Sequence, residues 1–312
     1  MIDFETLKAG SKAAMARALA QVEQSPDARE TLDLLNRAYT EPKAHVIGIT
    51  GPPGVGKSTL TNALIAQWRA QGRTVGVIAV DPSSRRTRGA LLGDRTRFTT
   101  DPEDQGIFVR SMAARDRLGG LAGLTVAGMV LMRAVYDVVL IETVGVGQSE
   151  TDIVGVADTV LFCVQPGSGD SLQFIKAGIV EIPHIVAITK ADMGAPARRA
   201  MSDMKGALNL AGRMGTDPWD IPVLLLSSMH KQGIEELVSA FDTHVTFLKD
   251  NGFLNSARHT QAKQWLEEAV REKFGRIGMQ RVMSQLDISP SESPFERLFT
   301  ISESFKLLFR AS

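Results

Sequence analysis

One short segment constrains this chain more than any other: residues 51–58 have the sequence Gly-Pro-Pro-Gly-Val-Gly-Lys-Ser. They match the pattern G-x-x-x-x-G-K-[ST], which forms a phosphate-binding loop when a strand precedes it and a helix follows it. Both neighbours are predicted here, because residues 45–49 form a β-branched run and residues 60–70 continue with helix-forming residues. The sequence therefore predicts a loop that binds nucleotide phosphates.

The residue types of this loop suit the binding of phosphate. Its glycines let backbone N–H groups turn toward phosphate oxygens, and the N-terminus of the following helix adds partial positive charge. Lys57 is predicted to contact the outer phosphates, Ser58 to offer its hydroxyl to Mg²⁺ and Thr59 to contact the inner phosphate. The predicted phosphate-binding residues are Gly51, Pro53, Gly54, Val55, Gly56, Lys57, Ser58, Thr59 and Gly145.

Short apolar runs alternate with longer amphipathic segments through the middle of the chain. The runs predicted to be strands lie at residues 45–49, 74–80, 107–110, 138–141, 159–164, 184–189 and 222–226. Because strands that alternate with helices form βαβ crossovers, the pattern predicts an α/β fold with a doubly wound, mostly parallel sheet covered by helices. Together with the phosphate loop, this is the fold class of P-loop nucleotide-binding proteins.

The two ends of the chain have no strand pattern. Residues 6–39 predict two helices separated near Pro26, and residues 261–274 and 295–309 predict two more. The apolar faces of the C-terminal helices either pack against the rest of the chain or form a self-association arm, and the pattern leaves both open. We expect three regions, which are a helical extension at 1–42, a nucleotide-binding domain at 43–250 and a helical region at 251–312.

Composition argues against several classes of partner. The chain has 35 basic and 35 acidic residues, a balance that is not typical of proteins that bind nucleic acid or a membrane surface. The single cysteine, Cys163, lies in an apolar run and is predicted to be buried and inert. The first residues form neither a basic leader nor an apolar secretory segment, so we expect a reducing, cytoplasmic location.

Three acidic residues are candidates for the metal site of a nucleoside triphosphate. Asp81 and Glu142 follow predicted strands, whereas Asp94 lies in a charged segment at residues 83–98. That segment is either a solvated loop or an order–disorder switch, and its position after Asp81 favours the switch. Glu142 precedes Gly145, whose N–H is predicted to approach the terminal phosphate. A Glu at this position either contacts the metal through water or orients the nucleophile, and the sequence leaves both roles open.

A second motif indicates which base is bound. Residues 189–192, Thr-Lys-Ala-Asp, follow a predicted strand and match [NT]-K-x-D, a pattern typical of guanine recognition. Asp192 is predicted to accept hydrogen bonds from the guanine N1–H and amine, which adenine cannot donate, so GTP is favoured over ATP. Thr189 replaces the more frequent Asn, so we expect a weaker contact with the phosphate loop. The predicted guanine-binding residues are Thr189, Lys190, Asp192, Ser227, Ser228 and Met229.

These segments together resemble one family, the MeaB, MMAA and ArgK family of GTPase chaperones for adenosylcobalamin-dependent acyl-CoA mutases. The matching segments lie at residues 48–58, 80–84, 92–95, 109–112, 142–150 and 166–170, within a resemblance that covers most of residues 10–275. Residues 142–150, Glu-Thr-Val-Gly-Val-Gly-Gln-Ser-Glu, are highly specific. The resemblance implies a GTPase that gates the loading, protection or rescue of adenosylcobalamin in a mutase, methylmalonyl-CoA mutase or a related one.

The resemblance also implies roles for particular residues. Residues 165–176 would form an additional mobile switch, with Lys176 as its reporter of nucleotide state. The C-terminal helices around Trp265 would form a dimerisation arm, which favours a homodimer. This chain departs from the family where Arg88-Gly89 replaces a glycine pair, and the sequence therefore does not identify the mutase. The implied Mg²⁺ ligands are Ser58, Asp81, Asp94 and Glu142.

The residue that orients the attacking water is not evident. Many GTPases have a Gln directly after the glycine that contacts the terminal phosphate, but here Val146 has that place and Gln148 lies two positions later. We therefore expect slow intrinsic hydrolysis that a partner accelerates. The catalytic and switch candidates are Lys57, Glu142, Gln148 and Lys176.

Four alternative functions can be compared with the sequence. A cobalamin carrier would need D-x-H-x-x-G, and the nearest segment, around His230, lacks the Asp, so no cobalamin site is predicted. A GTPase for nickel or zinc assembly would need a Cys/His cluster, which five scattered histidines do not predict. A nucleotide-sensing scaffold would bind GTP without turnover, and a transport kinase would need a phosphate acceptor that no motif supplies.

Overall fold

The structure is a computed structural model that describes residues 1–81, 98, 100–113, 123–143, 152–167, 178–212 and 218–310. Within these residues, seven strands form one parallel sheet in the order β3-β2-β4-β1-β5-β6-β7. The strands are β1 (His45–Thr50), β2 (Val75–Asp81), β3 (Ile107–Ala113), β4 (Val138–Thr143), β5 (Thr159–Val164), β6 (Ile185–Ile188) and β7 (Val223–Leu225).

The central strands are buried on both faces, as the apolar runs predict. Every residue of β4 and β5 is buried, and β1 is buried from Val46 to Thr50. One hydrophobic cluster includes Val46 and Ile141 and covers one face, while another includes Ile47 and Leu140 and covers the other. The predicted α/β fold with a doubly wound parallel sheet is confirmed.

Helices surround the sheet and extend the chain at both ends. The described helices are α1 (Phe4–Lys8), α2 (Lys12–Gln24), α3 (Arg29–Thr40), α4 (Lys57–Ala70), α5 (Gly123–Val135), α6 (Ala195–Leu210), α7 (Ile234–Asp250), α8 (Phe253–Arg281) and α9 (Pro294–Arg310). The N-terminal region contains α1 in addition to the two predicted helices, and Asp3 caps it by accepting the Thr6 N–H at 2.8 Å. Pro26 lies between α2 and α3, where a break is predicted.

The C-terminal helices pack against the rest of the chain. Phe295 of α9 belongs to the hydrophobic cluster that includes Val46 and Ile141 of the sheet, and its ring lies 4.7 Å from that of Trp265 in α8. The two helices also pack on each other, because Leu266 and Val270 of α8 form a cluster with Ile301 of α9. The helix α8 is interrupted at Gly275, which has a φ of 67°, directly after the predicted end at residue 274. The boundaries of the three regions stay a prediction. Among the described residues, no helix is long and apolar enough to cross a membrane.

Candidate functional site

The glycine-rich loop connects the carboxyl end of β1 to the first residue of α4. Gly51 has a φ of 136°, and a Cβ atom there would collide with the carbonyl oxygen of Cys163 in β5. Gly54 and Gly56 have φ values of 74° and 99°, with open space where a side chain would stand. The loop shape therefore depends on glycine, and its outer side is open to a ligand.

Lys57 lies over its own loop rather than in solvent. Its ammonium donates hydrogen bonds to the carbonyl oxygens of Gly51 at 2.7 Å and Pro52 at 3.1 Å, and the residue is 7% exposed. Of the other predicted phosphate-binding residues, Val55 is buried, Ser58 is half-buried, and Pro53, Gly54 and Thr59 are exposed. A buried cation beside open backbone N–H groups is the electrostatic setting that an anionic phosphate needs.

Glu142 brings the sheet and α4 together at this site. It lies near the end of β4, is 5% exposed, and accepts a hydrogen bond from the Ser58 hydroxyl at 2.6 Å. Its second oxygen accepts a hydrogen bond from the Thr61 hydroxyl at 2.8 Å. The predicted pair of Ser58 and Glu142 is therefore in direct contact, which gives a cluster of oxygen atoms beside the phosphate loop.

This oxygen cluster fits a divalent cation, because hydroxyl and carboxylate oxygens are the ligands that Mg²⁺ takes. Asp81 is the last residue of β2, which is a neighbour of β4 in the sheet. Ala79 of β2 pairs with Glu142 of β4, so the backbone of Asp81 lies two positions further along β2 toward the carboxyl edge. The side chain of Asp81 is not among those described. Asp94, Gly145, Gln148 and Lys176 also lie outside the described residues.

Thr61 is a site residue that the motif does not predict, because the phosphate-loop pattern ends at Ser58. The two residues are three positions apart, so they share one face of α4. Thr61 is completely buried and its hydroxyl binds Glu142. The signal in the sequence that indicates Thr61 is its residue type and position, because it is a polar residue on the inner face of a helix, three positions after the motif serine.

Thr189 connects the predicted guanine loop to the phosphate loop. Its hydroxyl lies 2.8 Å from the carbonyl oxygen of Val55 and 3.1 Å from that of Val164, and the residue is 4% exposed. Lys190 has a φ of 55°, and its ammonium donates to the Gly54 carbonyl oxygen at 3.2 Å. Two consecutive residues of this loop thus contact the phosphate loop, so Thr189 makes the contact for which Asn is more frequent.

Asp192 is exposed and lies next to the loop after β7. Its carboxylate accepts a hydrogen bond from the Ser227 hydroxyl at 2.7 Å, which is the main reason that the pKa of Asp192 lies below its usual value. The Ala191 N–H donates to the Leu226 carbonyl oxygen at 2.9 Å and joins the two loops. Ser228 is half-buried and Met229 is 87% exposed, so both border open space.

Cys163 contributes its backbone to the site and not its thiol. Its carbonyl oxygen lies against Gly51, while the side chain is fully buried. Burial raises the pKa of the thiol to about 12, so the group is protonated at neutral pH and is not a nucleophile. The predicted burial of this cysteine is confirmed.

The glycine-rich loop after β1, the adjacent carboxylate of Glu142 and the Thr-Lys-Ala-Asp segment after β6 lie at the carboxyl edge of a parallel sheet, an arrangement typical of P-loop GTPases. Comparison with known families gives the particular group, because residues 15–282 match the family described as Methylmalonyl Co-A mutase-associated GTPase MeaB. The chain belongs to this family. The predicted family is confirmed, and the chain is a GTPase.

Individual proteins agree with this assignment. The chain is 42% identical to a protein of Pyrococcus abyssi that is named as a candidate GTPase, over 86% of this chain and 84% of that protein. It is 34% identical to the methylmalonic aciduria type A homolog, mitochondrial, of Mus musculus, over 86% and 68% of the two chains. A crystal structure of LAO/AO transport system kinase is 28% identical and superposes with a TM-score of 0.67, over 97% and 96% of the two chains.

Proposed function

We propose that this GTPase is a chaperone that gates the loading, protection or rescue of adenosylcobalamin in a partner acyl-CoA mutase. The observation that carries the proposal is the family match over residues 15–282, because the family is described by its association with methylmalonyl-CoA mutase. The guanine and phosphate loops support it, since a nucleotide-dependent gate needs a GTP site. The mutase is either methylmalonyl-CoA mutase or a related enzyme.

The site residues have the following proposed roles. Gly51, Gly54 and Gly56 present backbone N–H groups to the phosphates, and Lys57 exchanges its carbonyl contacts for phosphate oxygens. Pro53, Val55 and Thr59 complete the phosphate contacts of this loop. Gly145, which follows β4, would add a contact from a second segment. On this proposal, the ammonium and the N–H groups stabilise the negative charge that develops as the terminal phosphate leaves.

Ser58 and Glu142 would hold Mg²⁺, together with Asp81 and Asp94. The hydrogen bond of 2.6 Å between Ser58 and Glu142 supports this set, because two oxygen atoms already converge there. When bound, the ion would neutralise phosphate charge. Thr61 positions the Glu142 carboxylate through its hydrogen bond of 2.8 Å.

The guanine site is proposed at the exposed carboxylate of Asp192. An ionised carboxylate accepts two hydrogen bonds, and the lowered pKa of Asp192 keeps it ionised at neutral pH. Lys190 would lie along the base, and the loop after β7 would supply the backbone N–H groups of Ser228 and Met229. Ser227 would contribute through its hydroxyl, which binds Asp192 at 2.7 Å, because its N–H donates to the Gln232 carbonyl oxygen at 3.0 Å. Thr189 keeps this loop in register with the phosphate loop through its contact with Val55.

Two features of the proposal come from the family resemblance. Lys176 is the switch residue that reports the nucleotide state. Separately, hydrolysis by the chain alone is slow because Val146 has the place at which many GTPases have a Gln, with Gln148 as the catalytic candidate two positions later, and the mutase accelerates hydrolysis. The C-terminal helices provide the surface of a homodimer. Assembly of a nickel or zinc centre is less well supported, because the described residues contain no group of three or more His, Cys, Asp or Glu side chains placed to bind a metal ion.

Phosphate release with and without a mutase tests this function. Wild type with Mg²⁺ and GTP is expected to release phosphate slowly, and addition of adenosylcobalamin-dependent methylmalonyl-CoA mutase is expected to raise the rate at least tenfold. Lys57→Ala is expected to lose GTP binding in calorimetry, whereas Lys205→Ala, at an exposed position of α6, retains it. An unchanged rate with methylmalonyl-CoA mutase and with related mutases, together with no complex in gel filtration, would contradict the proposed partner.

A further inference from the structure

A small cavity beside the C-terminal helices is lined by a buried arginine that forms no ion pair with any residue that the structure describes. Arg133, in the last turn of α5, is 4% exposed, and its Nε atom has no hydrogen-bond partner. It lines a cavity of about 30 Å³ together with Tyr39 of α3, Arg258 of α8 and Pro294 of α9. No Asp or Glu is present among the described residues that line this cavity.

The nearby acid already has a partner. Asp158 accepts hydrogen bonds from the Nε and Nη2 atoms of Arg258, each at 2.7 Å, and from the Val46 N–H at 2.8 Å. Arg258 and Asp158 therefore compensate each other. The positive charge of Arg133 is not compensated by this pair, so the group of Arg133, Arg258 and Asp158 has a net charge of one positive unit.

Arg133 stays ionised despite its burial. Desolvation, and the positive charge of Arg258, lower the pKa of Arg133 to about 10, which is still far above neutral pH. The ring of Tyr39 lies 5.6 Å from the guanidinium carbon, at the outer limit of a cation–π contact. A buried, ionised group of this kind is costly unless a negative charge or water solvates it.

The volume of the cavity limits the size of an anion that could compensate the charge of Arg133. A single water needs roughly 10–15 Å³ of such space, so the cavity of about 30 Å³ accepts one small ion and not a nucleotide or an acyl-CoA. We propose that this cavity is a binding site for one small inorganic monoanion of the chloride class, with Arg133 as its principal ligand. The anion would join α3 and α5 to α8 and the start of α9, independently of GTP and of any mutase.

Thermal unfolding of the full chain without nucleotide tests the site. The melting temperature is measured in sodium chloride and in sodium gluconate of equal ionic strength. Chloride at about ten times its dissociation constant is expected to raise the melting temperature by about 2 °C. Arg133→Met removes the charge and keeps an unbranched side chain that is shorter by the outer part of the guanidinium. It is expected to remove the chloride effect and to be at least as stable as wild type in gluconate.

Arg199→Met is the matched control, because Arg199 is exposed on α6. It is expected to keep the full chloride effect. An equal effect of chloride on all three proteins would place the anion elsewhere, and no effect on wild type would mean that the cavity contains only water; either result overturns the proposal. If Arg133→Met does not fold, crystals of wild type soaked in bromide decide the question. An anomalous peak beside Arg133 supports the site, and its absence overturns it.

Discussion

The Thr189 hydroxyl makes a buried contact between the proposed guanine loop and the phosphate loop, in addition to the exposed Lys190 ammonium, which donates to the Gly54 carbonyl oxygen at 3.2 Å. It contacts the carbonyl oxygens of Val55 at 2.8 Å and Val164 at 3.1 Å, and a hydroxyl has one proton to donate. The side chain is buried, so water cannot replace this contact without rearrangement. The buried part of the contact between the two loops therefore depends on the Thr189 hydroxyl.

Replacement of Thr189 tests this dependence. Thr189→Val keeps the shape and removes the donor, which leaves a buried carbonyl oxygen unpaired at a cost of about 1–3 kcal/mol. We expect GTP affinity to fall roughly 5- to 100-fold in calorimetry. Thr189→Ser keeps the hydroxyl and is expected to stay within about threefold of wild type. Equal affinity of the Val and Ser variants would show that the hydroxyl does not position the loop.

The carboxylate of Asp192 is expected to set the choice of base. Asp192→Asn replaces one acceptor oxygen by a donor, so the side chain no longer pairs with the guanine amine but can pair with the C2 carbonyl of xanthine. We expect GTP affinity to fall about 100-fold, which corresponds to the loss of about 3 kcal/mol from charge-assisted hydrogen bonds, while xanthosine triphosphate affinity rises. Competition binding with both nucleotides measures the change.

The control for this exchange is Asp250→Asn, at an exposed position at the end of α7. It removes the same charge far along the chain from the guanine loop and is expected to leave the nucleotide preference unchanged. If Asp192→Asn keeps the wild-type preference for GTP, then the loop at 189–192 does not recognise the base.

At the scale of elements, α8 contacts the segment that directly follows residues 144–151. Gln261 of α8 donates hydrogen bonds to the carbonyl oxygens of Val154 and Ala157, each at 2.9 Å. On its other side this segment packs on β1, because a Cβ atom at Gly48 would collide with the side chain of Ile153. Segment 152–157 therefore lies between the strand that precedes the phosphate loop and a C-terminal helix.

This contact predicts a local effect of Gln261→Met. The substitution keeps the side-chain length and removes both donors, so we expect a loss of about 1–2 kcal/mol of unfolding free energy in urea. Hydrogen exchange in residues 152–157 is expected to accelerate, while exchange in β1 is unchanged. Gln264→Met, one turn away at an exposed position, is the control. Equal protection of residues 152–157 in both variants would show that α8 does not stabilise them.

The elements differ in how far the sequence predicts them. The strands and the phosphate loop depend on local patterns, and each predicted strand is present within a few residues of its predicted bounds. Contacts between distant segments are not encoded locally, so neither the bond of Thr61 to Glu142 nor that of Gln261 to Val154 was predictable. The packing of α9 on α3 and α8 was left open, because an apolar helix face does not specify the surface that it covers.

At the scale of the whole molecule, the two edges of the sheet have different chemistry. The carboxyl edge carries the proposed nucleotide-binding loops, whereas the amino edge contains a network of histidines in which His244 is buried and His45 and His184 are half-buried. The Thr159 hydroxyl, at the start of β5, lies 2.6 Å from His45 Nε2 and 2.7 Å from His244 Nδ1. The ring of His184 lies 4.7 Å from that of His244. Protonation of these histidines would therefore affect the end of the sheet that is opposite to the candidate nucleotide site.

These histidines predict that stability falls in mild acid. Burial lowers the pKa of His45 to about 4 and that of His244 to about 3, whereas the unfolded chain has the ordinary value near 6.5. Below pH 6.5 the unfolded state binds protons that the folded state does not bind, so the contribution to stability is complete above pH 6.5 and is lost as the pH falls toward 4. Each histidine is expected to account for up to about 2 kcal/mol between pH 7 and pH 5.

Urea unfolding at pH 7, 6 and 5 measures this loss, and His244→Phe identifies its origin. The variant keeps an aromatic ring beside Trp219 and leaves the Thr159 hydroxyl bound to His45. Its free energy of unfolding is expected to decrease less than that of wild type between pH 7 and pH 5, by about 2 kcal/mol. His230→Asn changes an exposed loop residue and is expected to keep the wild-type dependence. The same pH dependence in all three proteins would mean that this histidine network does not control acid stability, and that carboxylates elsewhere in the molecule do.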